Sequence, residues 1–244
     1  MHTKKKQVLS LVTFILAITV TSIVLHGQDN SGSAGAKITE KQKEHSKLYK
    51  EYGIGKKLRE VAAETTANEA AVIRGIPQRV FSPDAPRFDW NHFFRDLSCD
   101  SDAVVIGKVK NQSSQLTADE DFVFTDYDLS IKEILKDNPV APIQPADDLT
   151  VTRPGGIVRL NNKSIRALDE SLEPLSIGSC YILFLKHIPS TGSYKAFNSK
   201  GSFELSNNRI VKLTKESLPK QLESGQAAKA LISEIRTVTA VGCY

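Results

Sequence analysis

The residues best able to do chemistry in this 244-residue chain are its three cysteines and five histidines. Cys180 and His187 come nearest to a thiol–imidazole pair, at the two ends of "CYILFLKH". On a strand rising ~3.3 Å per residue they stand roughly 23 Å apart, and their odd spacing turns them to opposite faces. Cys180 therefore reads as a small buried hydrophobe. His92 and Cys99 show the same spacing on a helical stretch, where two turns hold them roughly 10 Å apart. That leaves an exposed histidine and a structural cysteine rather than a dyad. His2, His26 and His45 lie in the leader or in a polar tail, and no Cys/His cluster has zinc spacing.

Other chemistries fail on spacing. "GIGKK" (Gly53 to Lys57) lacks the phosphate-loop pattern, because Lys50 stands where the first glycine belongs and Lys57 where Ser or Thr belongs. "SGSAG" begins with Ser31 rather than glycine and sits in a linker, not in a strand-to-helix turn. The acidic stretch "ADEDFVFTDYD" offers Asp119, Glu120, Asp121, Asp126 and Asp128, oxygens of the kind that bind calcium. It has no glycine-centred loop, and Asp126 and Asp128 alternate outward as on a solvated strand face. No catalytic residue, metal or cofactor is implied. Pro154-Gly155-Gly156 reads as a turn requiring positive φ. A binding surface is placed at that loop, on Arg153, Gly155, Gly156 and Arg159, because loops on a rigid scaffold carry function.

The elements that position these residues follow from periodicity. Trp90, Phe93, Phe94 and Leu97 form an apolar helical face behind a cap at Asp89. "AVVIGKV" is β-branched and strand-like. From Val123 to Lys132 apolar and polar residues alternate with period two. "LTVTR", "IVRL", "CYILFLK", "SYKAF", "SFEL" and "RIVKL" are further strands, with "CYILFLK" a central one. "GQAAKALISEI" reads as a terminal amphipathic helix carrying Ala227, Leu231, Ile235 and Val238. Many short strands with regular turn signals predict an antiparallel barrel or sandwich. Five to seven strands suit a mainly β fold, a small, partly open OB-like barrel flanked by a short N-terminal and a C-terminal helix.

Ahead of this domain, residues 1–27 carry Lys4, Lys5 and Lys6 before an uncharged run, the layout of an export signal. Its apolar core, Val8 to Leu25, reaches the roughly 17–25 residues that span a bilayer. An uncleaved anchor and a cleaved signal both remain open. Either one carries the rest of the chain out of the cytoplasm, since the lysines stay inside. Membrane contact is through residues 7–26 if the leader is uncleaved; otherwise the protein is secreted or periplasmic. Residues 28–88 read as a flexible polar tail, partly helical or disordered, and 89–244 as the barrel domain. Outside the cytoplasm three cysteines predict one disulfide and a spare thiol, assigned to Cys99 and Cys243.

The net charge is +4, and without the leader's three lysines 29 basic face 28 acidic residues. The barrel region is slightly acidic, which excludes nucleic acid as a partner.

The order "SDAVVIGKV", "FTDYDLSIKEILK", "LTVTRPGGIV", "LSIGSCYILFLK", "GSFEL" over about residues 100–206 resembles a set of uncharacterised exported bacterial β-barrel domains. Those domains are similar to OB-like or netrin-module barrels. Asp137 stands where they often carry glycine after "LK". The resemblance implies the fold and brings no catalytic residues. The expectation is an exported, membrane-tethered, non-enzymatic binding domain for an envelope or extracellular protein or glycan. Two alternatives stand beside it. One is a netrin-like extracellular protease inhibitor, and the other an envelope hydrolase.

Overall fold

A computed structural model describes residues 39–65, 71–75, 90–145, 148–169, 172–197, 201–206, 209–212 and 225–241. The leader, the Asp89 cap and Cys243 lie outside these residues. No helix among them is long and apolar enough to cross a membrane.

The fold is mainly β. Two 14-residue strands, β2 (Ala103–Leu116) and β3 (Val123–Lys136), form a long antiparallel hairpin. β4 (Asp148–Pro154) pairs antiparallel with β3. β7 (Cys180–Ile188) pairs antiparallel with the first half of β2, from Ala103 to Lys108. β8 (Ser193–Ala196) lies antiparallel to β7 and parallel to β4. The ladder β7-β2-β3-β4-β8 therefore returns to its first strand. Irregular register in β2 between Val104 and Asn111 curls the hairpin, as bulges do. β9 (Ser202–Ser206) and β10 (Arg209–Lys212) extend the sheet beyond β7. A second sheet joins β1 (Ala71–Gly75), β6 (Lys163–Asp169) and β5 (Gly156–Leu160). The expected all-antiparallel barrel is thus corrected to a mixed arrangement, because β4–β8 and β1–β6 run parallel.

Three apolar clusters organise the chain. The first lies inside the ring, where Tyr127, Leu129 and Ile131 of β3 meet Tyr181, Leu183 and Leu185 of β7. The second covers the outer face of β2 and β7, where Ile106, Ile182, Phe184 and Phe203 pack on two helices. These are α3 (Trp90–Asp100) and α4 (Gly225–Val241). β2 and β7 are therefore apolar on both faces, which is why "AVVI" and "YILFL" read as unbroken apolar runs. Burying both faces of "YILFL" contributes about 2 kcal/mol per side chain.

The third cluster corrects the tail reading. α1 (Glu40–Lys47) and α2 (Leu58–Glu64) form within the expected tail, and each turns a few residues inward while the rest stay exposed. Tyr49, Leu58 and Ala62 are buried against Phe122, Phe124 and Ile165. Tyr49 stacks on Phe124 at 5.7 Å. Thr39 caps α1, with Gln42 answering on the Thr39 backbone N–H.

Cys99 is disulfide-bonded and Cys180 is a free thiol, part-exposed rather than buried. Cys99 sits in the last turn of α3, and that helix end is held by a lysine. Lys136 Nζ donates to the carbonyls of Ser98 (2.7 Å), Cys99 (3.1 Å) and Ser101 (2.6 Å). A cation there satisfies orphan carbonyls and complements the helix dipole. Lys136→Met keeps the stem and removes the donors. Chemical denaturation should show a loss of about 1–2 kcal/mol, and an unchanged midpoint would show the contact to be idle.

Candidate functional site

β2 parts from β7 after Lys108, so its second half pairs with β3 alone. Against that stretch stands the β5–β6 hairpin, delivered by the Pro154-Gly155-Gly156 link. Gly155 (φ 88°) and Gly156 (φ 149°) both take the positive φ expected of that turn. Their backbone crosses a pair of hydroxyls. Thr125 donates to the Gly155 carbonyl at 2.6 Å and lies 2.9 Å from Ser114 Oγ. The Ile157 N–H in turn donates to Ser114 Oγ at 3.3 Å. A Cβ at Gly156 would stand 2.2 Å from Thr125 Oγ1 and 2.6 Å from Ser114 Oγ. Gly156→Ala should therefore cost about 2–4 kcal/mol from strain and overpacking together. A melting temperature equal to that of wild type would show that the crossing is loose.

Between this hairpin and the main sheet lies a pocket of about 410 Å³, within the roughly 300–1,000 Å³ typical of ligand sites. Gln112, Ser114, Thr125, Tyr127 and Ser176 supply its neutral polar walls, and Arg166 its charge. Ala167, Leu168, Pro174 and Leu175 add apolar surface. Ile157 and Ile177, 56% and 57% exposed, complete the walls. The wall around 174–177 is fixed from inside, because the Ser176 N–H donates to the Tyr181 hydroxyl at 2.8 Å and Leu175 packs into the ring core.

Behind the pocket lies Arg153. Leu149 and Val151 of β4 face the ring interior, and period-two alternation puts Arg153 on the same side, opposite Thr125 in the ladder. Its exposure is 1%, and among the described residues neither Nη1 nor Nη2 has a hydrogen-bond partner. Burial pulls its pKa below the ordinary arginine value. Tyr127, then Tyr49, Tyr181 and Asp169, act in the opposite direction. Burial likewise raises the Tyr127 phenol, against the pull of the Arg153 charge. An arginine stays protonated even so, so a cation sits beside the pocket.

The four loop residues assigned from sequence thus separate. Gly156 lines the pocket, and Gly155 shapes the turn. Arg153 is buried in the interior rather than offered on a loop. Arg159 is exposed on β5 and is not one of the walls.

A second constellation was invisible in the sequence. His45 of α1, fully buried, places Nδ1 2.8 Å from Asp126 Oδ1 and Nε2 3.1 Å from Thr191 Oγ1. This corrects two readings, His45 as a tail residue and Asp126 as a solvated carboxylate. Carboxylate, imidazole and hydroxyl in line are the geometry of a nucleophile relay. Such a relay also needs backbone donors for an oxyanion. Here the Thr191 and Gly192 N–H groups both bond the Ile188 carbonyl, at 3.1 and 3.0 Å. The Ser193 N–H turns back to Thr191 Oγ1 at 3.4 Å. No donor in 191–193 faces outward, and the imidazole has no exposed surface. The three residues fasten α1 to the main sheet.

The remaining expectations resolve by position. Cys180 opens β7 and His187 stands one residue before its end, with the His187 ring against Tyr194 at 5.1 Å. The His92 side chain lies outside what the structure describes. Asp119 and Asp121 act on one another. Burial first, then Asp119, raises the Asp121 pKa. Thr117 and Asp121 hold Asp119 below the usual carboxylate range, against burial, which is the largest single influence on it. No three metal-ligating side chains converge among the described residues. No protein-family model matches the chain, and no curated protein matches it.

Proposed function

We propose that the chain is an exported, non-enzymatic binding domain on an OB-type barrel, membrane-tethered where residues 7–26 are retained, whose ligand enters the pocket between β2–β3 and β5–β6. The observation that carries this reading is the pocket itself. It combines neutral polar walls, two exposed isoleucines and, behind it, a buried arginine whose Nη1 and Nη2 have no hydrogen-bond partner among the described residues. The ring order β7-β2-β3-β4-β8, with its one parallel contact, supports the barrel type. The disulfide at Cys99 supports an oxidising compartment. The same reading pairs Cys99 with Cys243, and an envelope or extracellular protein or glycan presents the bound group.

Photo-crosslinking in cells tests it. A benzophenone side chain at Ile177 should give a discrete adduct, while the same group at Val140, 86% exposed and outside the pocket, should give none. Equal labelling from both positions would end the pocket reading. Mass spectrometry of the mature N-terminus separates tethered from diffusible protein.

A further inference from the structure

We propose that this pocket takes a small carboxylate with an apolar body, the carboxylate drawn to Arg166 and Arg153 and the body lying between Ile157 and Ile177. This rests on the binding reading above and gives the bound group a chemical class.

Charge is the first support. The pocket walls include one cation, Arg166, and no acidic residue. Among the described residues no ion pair joins Arg166 to a carboxylate. Deeper in, Arg153 adds a second positive charge at 1% exposure, with Nη1 and Nη2 both lacking hydrogen-bond partners among the described residues. Thr125 faces Arg153 across the ladder, and Tyr127 lies near enough for its ionisation and the Arg153 charge to influence one another; both are walls of the pocket. In such a low-dielectric setting a cation acts on a nearby anion far more strongly than in water. Buried polar groups are nearly always satisfied, and a guanidinium's fork matches a carboxylate in geometry.

Shape is the second support. Large apolar side chains exposed together around one pocket mark a contact surface rather than scattered surface residues. Ile157 and Arg166 are direct partners in the β5–β6 ladder, so an apolar and a cationic contact are offered side by side. A bare inorganic anion would use only one of them. An amphiphilic acid uses both, whether it is a free acid or the carboxyl terminus of a peptide ending in an aliphatic residue.

The test compares acids with their amides on the purified full chain by titration calorimetry and ligand-observed NMR. The probes are 4-methylpentanoate and 4-methylpentanamide, and acetyl-Gly-Leu with a free or an amidated end. At least one acid should bind about tenfold more tightly than its amide, one charge-assisted pair being worth roughly that factor. The series in which this occurs identifies the free acid or the peptide terminus as the source. Arg166→Gln, on the surface, should reduce the preference several-fold. Arg153→Met should abolish it. Equal affinity of acid and amide, or a preference that survives both substitutions, overturns the carboxylate assignment and leaves the pocket standing. Failure of all four probes overturns it too, while crosslinking at Ile177 still reports on the pocket. Acid binding undiminished in Ser176→Trp, which fills the pocket, would instead overturn the pocket reading.

Discussion

Leu58→Ala should lower stability by about 2–5 kcal/mol, the range for emptying a fully buried leucine site. For a folded unit of this size that is a fall in melting temperature of roughly 5–15 °C. Leu58 has no exposed surface and opens α2, and its N–H donates to the Glu120 carbonyl at 2.7 Å, tying the helix to the β2–β3 loop. Its neighbours Tyr49, Ala62, Phe122 and Phe124 share one cluster, so the cavity cannot collapse onto solvent. The comparison is Ala63→Ser, one turn round on the exposed face of the same helix, which should move the midpoint by no more than about 0.5 kcal/mol. If both substitutions leave thermal unfolding unchanged, residues 39–65 are the solvated tail that their composition suggests, and the third cluster does not contribute to folding.

That composition shows why the strands were legible and this segment was not. "YILFL" and the alternation from Val123 onward report their environment directly, because strand burial is written in side-chain polarity at period one or two. α1, "EKQKEHSK", contains no apolar residue at all. It is held by polar contacts, His45 to Asp126 and Thr191, and Ser46 Oγ accepting the Ala118 N–H at 2.6 Å. α2 spans seven residues, too few for a helical period to stand out, and its two buried positions include an alanine. Partners that lie 81 and 146 positions away leave no local signature on a histidine. The parallel β4–β8 contact was hidden for the same reason. It pairs only Val151 with Tyr194 and Thr152 with Lys195, and parallel neighbours differ from antiparallel ones in topology, not in residue pattern.

The site was half legible. Pro154-Gly155-Gly156 announced a positive-φ crossing, and Gly156 does line the pocket. What hid the rest is that the other walls come from four separate stretches, 112–127, 157, 166–168 and 174–177, joined only by the sheet. Arg153 was misplaced because an arginine beside Pro-Gly-Gly reads as exposed. The alternation Leu149, Val151, Arg153 on one strand face would have placed it inside.

Arg153→Met should raise stability. A buried charge without a partner is retained at a cost of several kcal/mol in lost hydration. Exchanging a buried ionic group for an apolar one of similar volume is neutral or stabilising by about 1–4 kcal/mol. The expected gain in melting temperature is roughly 3–10 °C. Arg153→Lys keeps a charge in the same place and should show none of it. A protein that keeps so costly a group does so where function uses it, and binding sites commonly oppose stability in this way. Ligand linkage sharpens the point, because a bound acid stabilises only the form that binds it. With a binding acid probe near 100 times its dissociation constant, wild type should gain about 2.7 kcal/mol and Arg153→Met, binding about tenfold more weakly, only about 1.4 kcal/mol. The two melting curves should therefore approach one another as probe is added. If Arg153→Met instead melts well below wild type without ligand, the guanidinium is a structural member of the interior. The ligand reading would then lose its deeper cation and rest on Arg166 alone.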